Sequence, residues 1–191
     1  WTQGQGKYTS NWLPSFDDEN EKVEFDITLC SYKKYEIISN GNLVDRMDAY
    51  DERFNCVKFN MNQPMSSYLV ALAIGNYNKQ TETSISGIPL EYYYYPEDSA
   101  KVEPTYRYTK QMFDFLEEEI GVSYPWEIYK QVPVKDFLYS GMENTTLTIF
   151  SDAFVVDAIG FNDRNYVNVN AHPSCRTPCH ATKYERIWKS N

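Results

Sequence analysis

The sequence predicts a mixed β and α+β chain, β-rich in its first half and carrying its helix in the second. Three observations predict it. Before residue 96 several segments alternate apolar and polar residues, which is the period of a half-buried strand. After Pro96 the apolar residues recur at three- and four-residue steps, which is the period of an amphipathic helix. The chain is also rich in rings, with 17 Tyr, 10 Phe and 4 Trp. Aromatic residues favour strands, and Tyr with its polar tip suits half-buried surfaces, so aromatic-lined grooves are expected alongside ordinary packing.

In chain order, Val23, Phe25, Ile27 and Leu29 alternate with Glu24, Asp26 and Thr28 and read as a strand. Asn40-Gly41-Asn42 is a turn signal that predicts a hairpin between residues 35–39 and 43–45. Residues 53–60 read as a further strand, and the nearly unbroken apolar run 68–74 as a strand buried on both faces. Ile88, Leu90, Tyr92 and Tyr94 alternate again. Tyr108, Met112, Phe115, Leu116 and Ile120 then mark one face of a helix over 99–120, with Pro104 in its first turn and Gly121 as its C-cap. Glu117-Glu118-Glu119 would lie in its last turn, against the helix dipole, as a solvated face. Strands follow at 129–134 and 145–150.

The 191 residues carry a net charge of −9. This excludes nucleic acid as the main partner, because a phosphate backbone is bound by surplus Lys and Arg. No run reaches the ~18–20 apolar residues of a transmembrane helix. A soluble protein is expected, cytoplasmic, or periplasmic or extracellular if a leader has been removed. Trp1 begins the chain without a Met, so a removed leader or a piece of a longer chain is expected. Four cysteines allow three disulfide connectivities, and a chain of this length does not need staples. Cys30 and Cys56, both in apparent strands, are therefore expected as buried free thiols.

Chemistry concentrates at Tyr139-Ser140-Gly141-Met142-Glu143-Asn144, just before a strand. Glycine lets a backbone approach a ligand closely. A carboxylate such as Glu143 beside a strand edge can hold an ammonium, while the edge's free N–H and C=O groups hold an extended peptide.

Gly-Met-Glu-Asn before a strand resembles the Gly-x-Met-Glu-Asn signature of the aminopeptidase N family of gluzincin zinc metallopeptidases, which includes leukotriene-hydrolase-type enzymes. Other stretches agree in order and spacing up to about residue 172. They are Gln3-Gly4-Gln5, Trp12-Leu13-Pro14-Ser15-Phe16-Asp17-Asp18, Lys22-Val23-Glu24-Phe25, Met65-Ser66-Ser67-Tyr68-Leu69-Val70-Ala71 with Ile74-Gly75, and Asn168-Val169-Asn170-Ala171-His172. The resemblance implies the later part of a saddle-like N-terminal β-domain over 1–95. It implies the start of a thermolysin-like catalytic domain over 96–172, and a divergent tail over 173–191. It also implies that Glu143 binds the free α-amino group of a peptide. Gly141 and Met142, preceded by Tyr139 and Ser140 and followed by Asn144, would bind its backbone. Gln5, with Gln3 beside it, would touch the same peptide.

Family members continue with His-Glu-x-x-His on a helix, two zinc ligands one turn apart with a Glu that polarises water. Here His172 is present, but Pro173 stands at the Glu position and Arg176 at the second ligand position. Proline also disfavours the α conformation of the residue before it. His172 is thus a lone remnant, and the chain is expected to hold no zinc at the family site and to be inactive alone. A peptide with a free N-terminus remains the expected partner. The other reading is a non-catalytic peptide- or protein-binding module. His172, Cys175, Cys179 and His180 in the tail are zinc-ligand types, and a small zinc site and accidental clustering both stay open for them.

Overall fold

The computed structural model describes residues 1–159. Within them, eleven strands build three sheets. In the first, β1 (Thr2–Gln3) and β3 (Glu36–Ser39) flank β6 (Ala71–Gly75), all antiparallel. In the second, β2 (Lys22–Tyr32) and β4 (Asn42–Asp48) flank the long β5 (Phe54–Ser66), again antiparallel.

The third sheet is mixed. Its order is β10 (Gly141–Asn144), β11 (Leu147–Ser151), β9 (Tyr129–Val134), β8 (Pro89–Tyr94), β7 (Asn78–Thr83). β8, β9 and β11 run parallel, and the outer strands β7 and β10 run antiparallel to their neighbours. A parallel pair needs a crossover, and between β8 and β9 the chain forms α1 (Val102–Tyr106) and α2 (Thr109–Ile120).

This third sheet is covered on both faces, which is why every residue of β9 is buried. One face meets the other two sheets in a core that joins Ile38, Met61, Met65 and Leu69 to Val132, Val134, Met142, Leu147 and Ile149. The opposite face meets the helices in a core of Leu90, Tyr92, Val102, Tyr106, Phe113, Tyr124, Tyr129 and Phe150. Rings dominate this second core. Tyr92 stacks on Tyr106 at 4.8 Å, and Phe113 meets Tyr124 edge-on at 5.0 Å. Burial raises the Tyr92 and Tyr106 hydroxyls above the ordinary tyrosine range, so both stay protonated donors. Tyr92 donates to Glu82, and Tyr106 to the Tyr93 carbonyl. Much of the ring content expected to line grooves thus fills a core instead.

The strands predicted at 23–29 and 88–94 from period two, and those predicted at 53–60 and 129–134, are present as β2, β8, β5 and β9. The predicted hairpin at Asn40-Gly41 is not. β3 pairs with β6 and β4 with β5, so the turn passes the chain from one sheet to another. Gly41 has φ 75°, and a Cβ there would sit 2.1 Å from the Asn60 carbonyl oxygen. Only glycine fits that crossing. Within the 68–74 run, Ser67–Leu69 form a 3-10 turn and pairing begins at Ala71.

The predicted helix is broken between Tyr106 and Thr109. Its inward face is Thr109 and Phe113, while Phe115 is 58% exposed. Phe113 wins because Tyr124 and Tyr129 offer it ring partners. Gly121 caps α2 in the left-handed conformation at φ 69°, as expected. Glu117 is not simply solvated, since its carboxylate accepts the Tyr124 N–H at 2.7 Å. That bond folds the following loop back onto the helix end. The change of period at residue 96 falls inside the stretch that builds the third sheet, with β7 and β8 before it and β9, β10 and β11 after it.

Cys30 and Cys56 are not free thiols. They face each other across β2 and β5 and form a disulfide, and Cys30 lies on the exposed face. Strand pairing overrode the expectation from chain length, because it sets the two Cα atoms 4.0 Å apart. The bond closes a segment of 26 residues. The chain-entropy model assigns such a loop about 3–4 kcal/mol, acting through the unfolded chain. The Cys30→Ser, Cys56→Ser double variant is expected to unfold at lower urea concentration, with a steeper slope because its unfolded chain is no longer cross-linked. Identical midpoints for variant and oxidised protein would contradict this.

Candidate functional site

Gly141 to Asn144 do not merely precede a strand. They are β10, and β10 is the outermost strand of the third sheet among the described residues. The 145–150 segment, expected to offer the edge, is an inner strand between β10 and β9. Alternation then sorts the motif's side chains. Met142 points into the core shared with the first two sheets, and Asn144 is fully buried. Gly141 and Glu143 are half-buried on the opposite side. Glu143 pairs in register with Thr148, which pairs with Gln131 of β9, and that face is the one the helices cover further along the sheet.

Two local devices set the strand. Before it, Asp136 turns the chain through a left-handed φ of 57°, and Ser151 N–H donates to the Ser140 carbonyl, extending the pairing by one residue. After it, Thr145 and Thr146 make a two-residue turn into β11, with Thr146 at φ 62°. A β-branched residue in that region is strained and persists only when its surroundings over-determine it. They do. The Thr146 Oγ1 accepts the Gly41 N–H at 2.7 Å, the Thr146 carbonyl accepts the Lys130 N–H at 2.9 Å, and the Thr145 carbonyl accepts from the Asn40 amide.

Lys130 is itself unusual. Its side chain is 2% exposed, and its Nζ donates to the carbonyls of Ser39 at 2.8 Å and Gly41 at 2.5 Å. It also lies 4.9 Å from the centre of the Phe59 ring. Burial pulls the ammonium down from the ordinary lysine range to about 7, with Glu91 opposing the shift and Lys79 adding to it. The uncharged amine still has two N–H donors for the two carbonyls.

The N-terminal residues reach this region from another direction. Gln3 lies in β1, opposite Ala71, and its Oε1 accepts the Gln5 N–H at 2.6 Å. Gly4 between them packs against Thr9, where a Cβ would fall 1.9 Å from Oγ1. Trp1 donates to the Lys135 carbonyl at 2.9 Å and meets Phe137 edge-on, and Phe137 meets Tyr139. The segment therefore docks beside the entry to β10. Among the described residues, neither Gln3 nor Gln5 hydrogen-bonds Gly141 to Asn144. Tyr139 is exposed and Met142 buried, so the motif reaches solvent at its entry.

Sequence reasoning missed Asn40, Lys130 and Thr146. Asn40 was legible only as a turn residue. The signal for Lys130 was a charge inside the otherwise buried-reading run 129–134. The Asn144 amide is buried with neither Oδ1 nor Nδ2 partnered among the described residues. Left dry, such a group costs about 1–3 kcal/mol.

Among the described residues no group of three His, Cys, Asp or Glu side chains is placed to hold a metal ion. His172, Cys175, Cys179 and His180 lie outside the described residues.

Two family models match the chain. Peptidase M1 N-terminal domain covers residues 1–69, and Peptidase family M1 domain covers residues 105–173. Glutamyl aminopeptidase of Bos taurus is 32% identical over 140 residues, 73% of this chain and 14% of the relative. Glutamyl aminopeptidase of Sus scrofa is 29% identical over 164 residues, 84% of this chain and 17% of the relative. Puromycin-sensitive aminopeptidase of Caenorhabditis elegans is 27% identical over 157 residues, 82% of this chain and 17% of the relative. The chain thus spans only 14–17% of the length of these relatives. Two matches to one family in the expected order, with a relative 32% identical over 73% of this chain, identify the chain as part of a member of peptidase family M1.

Proposed function

We propose that this chain carries the substrate-anchoring part of an aminopeptidase. Glu143 holds the α-ammonium of a peptide, and the outer edge of β10 pairs with the peptide's first residues. Gln5, backed by Gln3, touches the same peptide from the N-terminal segment, and Tyr139 and Ser140 flank its entry. The observation that carries the reading is a half-exposed carboxylate on a strand whose outer edge has no strand neighbour among the described residues. The edge of a sheet can offer main-chain hydrogen bonds to an extended peptide, and a carboxylate beside it restricts the peptide to one with a charged end.

Aminopeptidases of family M1 are zinc metallopeptidases, and zinc supplies them with an activated water. This chain has Pro173 and Arg176 where the motif needs Glu and His. On this reading it binds and orients a peptide N-terminus without cleaving it, which also favours a non-catalytic peptide-binding module as the second reading.

The test is titration of the pure chain with a short peptide and its N-acetylated form. A charge-assisted hydrogen bond contributes about 1.5–3 kcal/mol, so the free-amine peptide should bind ~10–150-fold more tightly. Equal affinities would remove Glu143 from the proposed role. In zinc-containing buffer no N-terminal residue should be released, and zinc-dependent release would overturn the expected inactivity.

A further inference from the structure

The geometry points to Asn40 as a positioning residue for the peptide-anchoring strand, acting across the boundary between the N-terminal sheets and the third sheet. This rests on the role proposed for Glu143 and adds how its strand is held.

Asn40 is fully buried, and its side chain uses three bonds. Nδ2 donates to the Leu69 carbonyl at 3.0 Å and to the Thr145 carbonyl, and Oδ1 accepts the Ala71 N–H at 2.7 Å. Each partner sits at a strategic place. Thr145 is two residues beyond Glu143 and opens the strained turn that ends β10. Ala71 is the register partner of Gln3. One amide therefore ties the strand bearing the ammonium-binding carboxylate to the strand that aligns Gln3 and Gln5.

The neighbouring groups make the link specific. Gly41 N–H donates to Thr146 Oγ1, and Lys130 Nζ donates to the carbonyls on either side of Asn40. The Ser39 hydroxyl donates to the Ala71 carbonyl at 2.9 Å. The Ser39-Asn40-Gly41 turn is thus gripped by both sheets and in turn holds Thr146 in its left-handed conformation. A hydrophobic contact would set only a distance. An amide with a donor toward one strand and an acceptor toward the other sets register as well. Without it the turn at Thr146 has every reason to relax, and β10 with it.

Asn40→Asp is the discriminating variant. It keeps an acceptor for Ala71 but turns a carboxylate toward two carbonyls. In the full chain, the preference for a free-amine peptide over its acetylated form is expected to fall at least ~10-fold, the weight of a lost charge-assisted contact. Amide exchange should accelerate at residues 141–146 and 71, with β2 and β5 unchanged. On acidification to about pH 5 the buried carboxyl regains a proton and a donor, and the wild-type preference measured at that pH should return. An unchanged preference, exchange that rises uniformly, or failure of acid rescue would overturn the proposal. If Asn40→Asp does not fold, Thr146→Val removes the Gly41 bond and the weak hydroxyl contact with Met61 Sδ, and should speed exchange at residues 141–146. If the wild-type chain itself shows no preference for the free amine, the role proposed for Glu143 fails, and the exchange pattern alone still decides whether Asn40 holds the strand.

Discussion

Glu143→Gln is expected to abolish the chain's preference for a peptide with a free N-terminus. Gln keeps the shape and a carbonyl oxygen but loses the charge. What disappears is the charge-assisted share of the contact, about 1.5–3 kcal/mol or a ~10–150-fold loss in affinity. The acetylated peptide, which never used that charge, should bind as before. Because Glu143 is half-exposed and its backbone is held by pairing with Thr148, the variant should melt within a few degrees of the parent. Calorimetric titration of both proteins with both peptides reads all of this at once. A loss of affinity for the two peptides in equal measure would mean that Glu143 shapes the strand rather than reads the amine.

The second large effect concerns Lys130 and pH. Its folded-state pKa of about 7 lies below the ordinary lysine value of 10.5. Between those two values the unfolded chain holds a proton that the folded chain has released. Stability must therefore rise with pH across that window, by up to about 1.4 kcal/mol per unit. Below about pH 7 both states are protonated, and the folded chain carries the full cost of a buried ammonium. Urea unfolding of the parent and of Lys130→Met at several values from about pH 7 to about pH 9.5 isolates this group. The parent should gain about 3 kcal/mol on the variant over that range. Met fills similar volume without a charge to desolvate, so near neutral pH it should fold about as stably as Lys. Parallel curves would show that the two carbonyls and the Phe59 face keep the ammonium charged throughout.

What the sequence revealed and what it hid divide along physical lines. Alternation is a local property, and β2 and β8 could be read from it because each presents one face to neighbours of any kind. The Gly121 cap was legible because left-handed backbone has few acceptable residues. Partnership between strands is not local. Asn40-Gly41 carried a true turn signal, yet the strands on either side join different sheets. The helix face was misassigned because Phe113 and Phe115 are equivalent until Tyr124 and Tyr129 are in place. The Cys30–Cys56 bond needed the register of β2 against β5, which no spacing encodes. The motif was legible as a string, but its place at the outer edge was not. That edge exists because β11 turns inward to pair with β9.

The core between the first two sheets and the third has a consequence for how such proteins can be divided. Ile38, Met61, Met65 and Leu69 come from the first matched stretch, and Val132, Val134, Met142, Leu147 and Ile149 from the second. Met61 Sδ even receives the hydroxyl of Thr146, at 4.0 Å, in the turn that ends the anchoring strand. An N-terminal half grafted from a relative would bring its own version of Met61 and Met65 to a surface shaped for these. The halves are therefore expected to vary as a matched pair. A change at Met61 should be accompanied, across relatives, by changes at Met142 or Thr146 rather than at residues nearer in the chain.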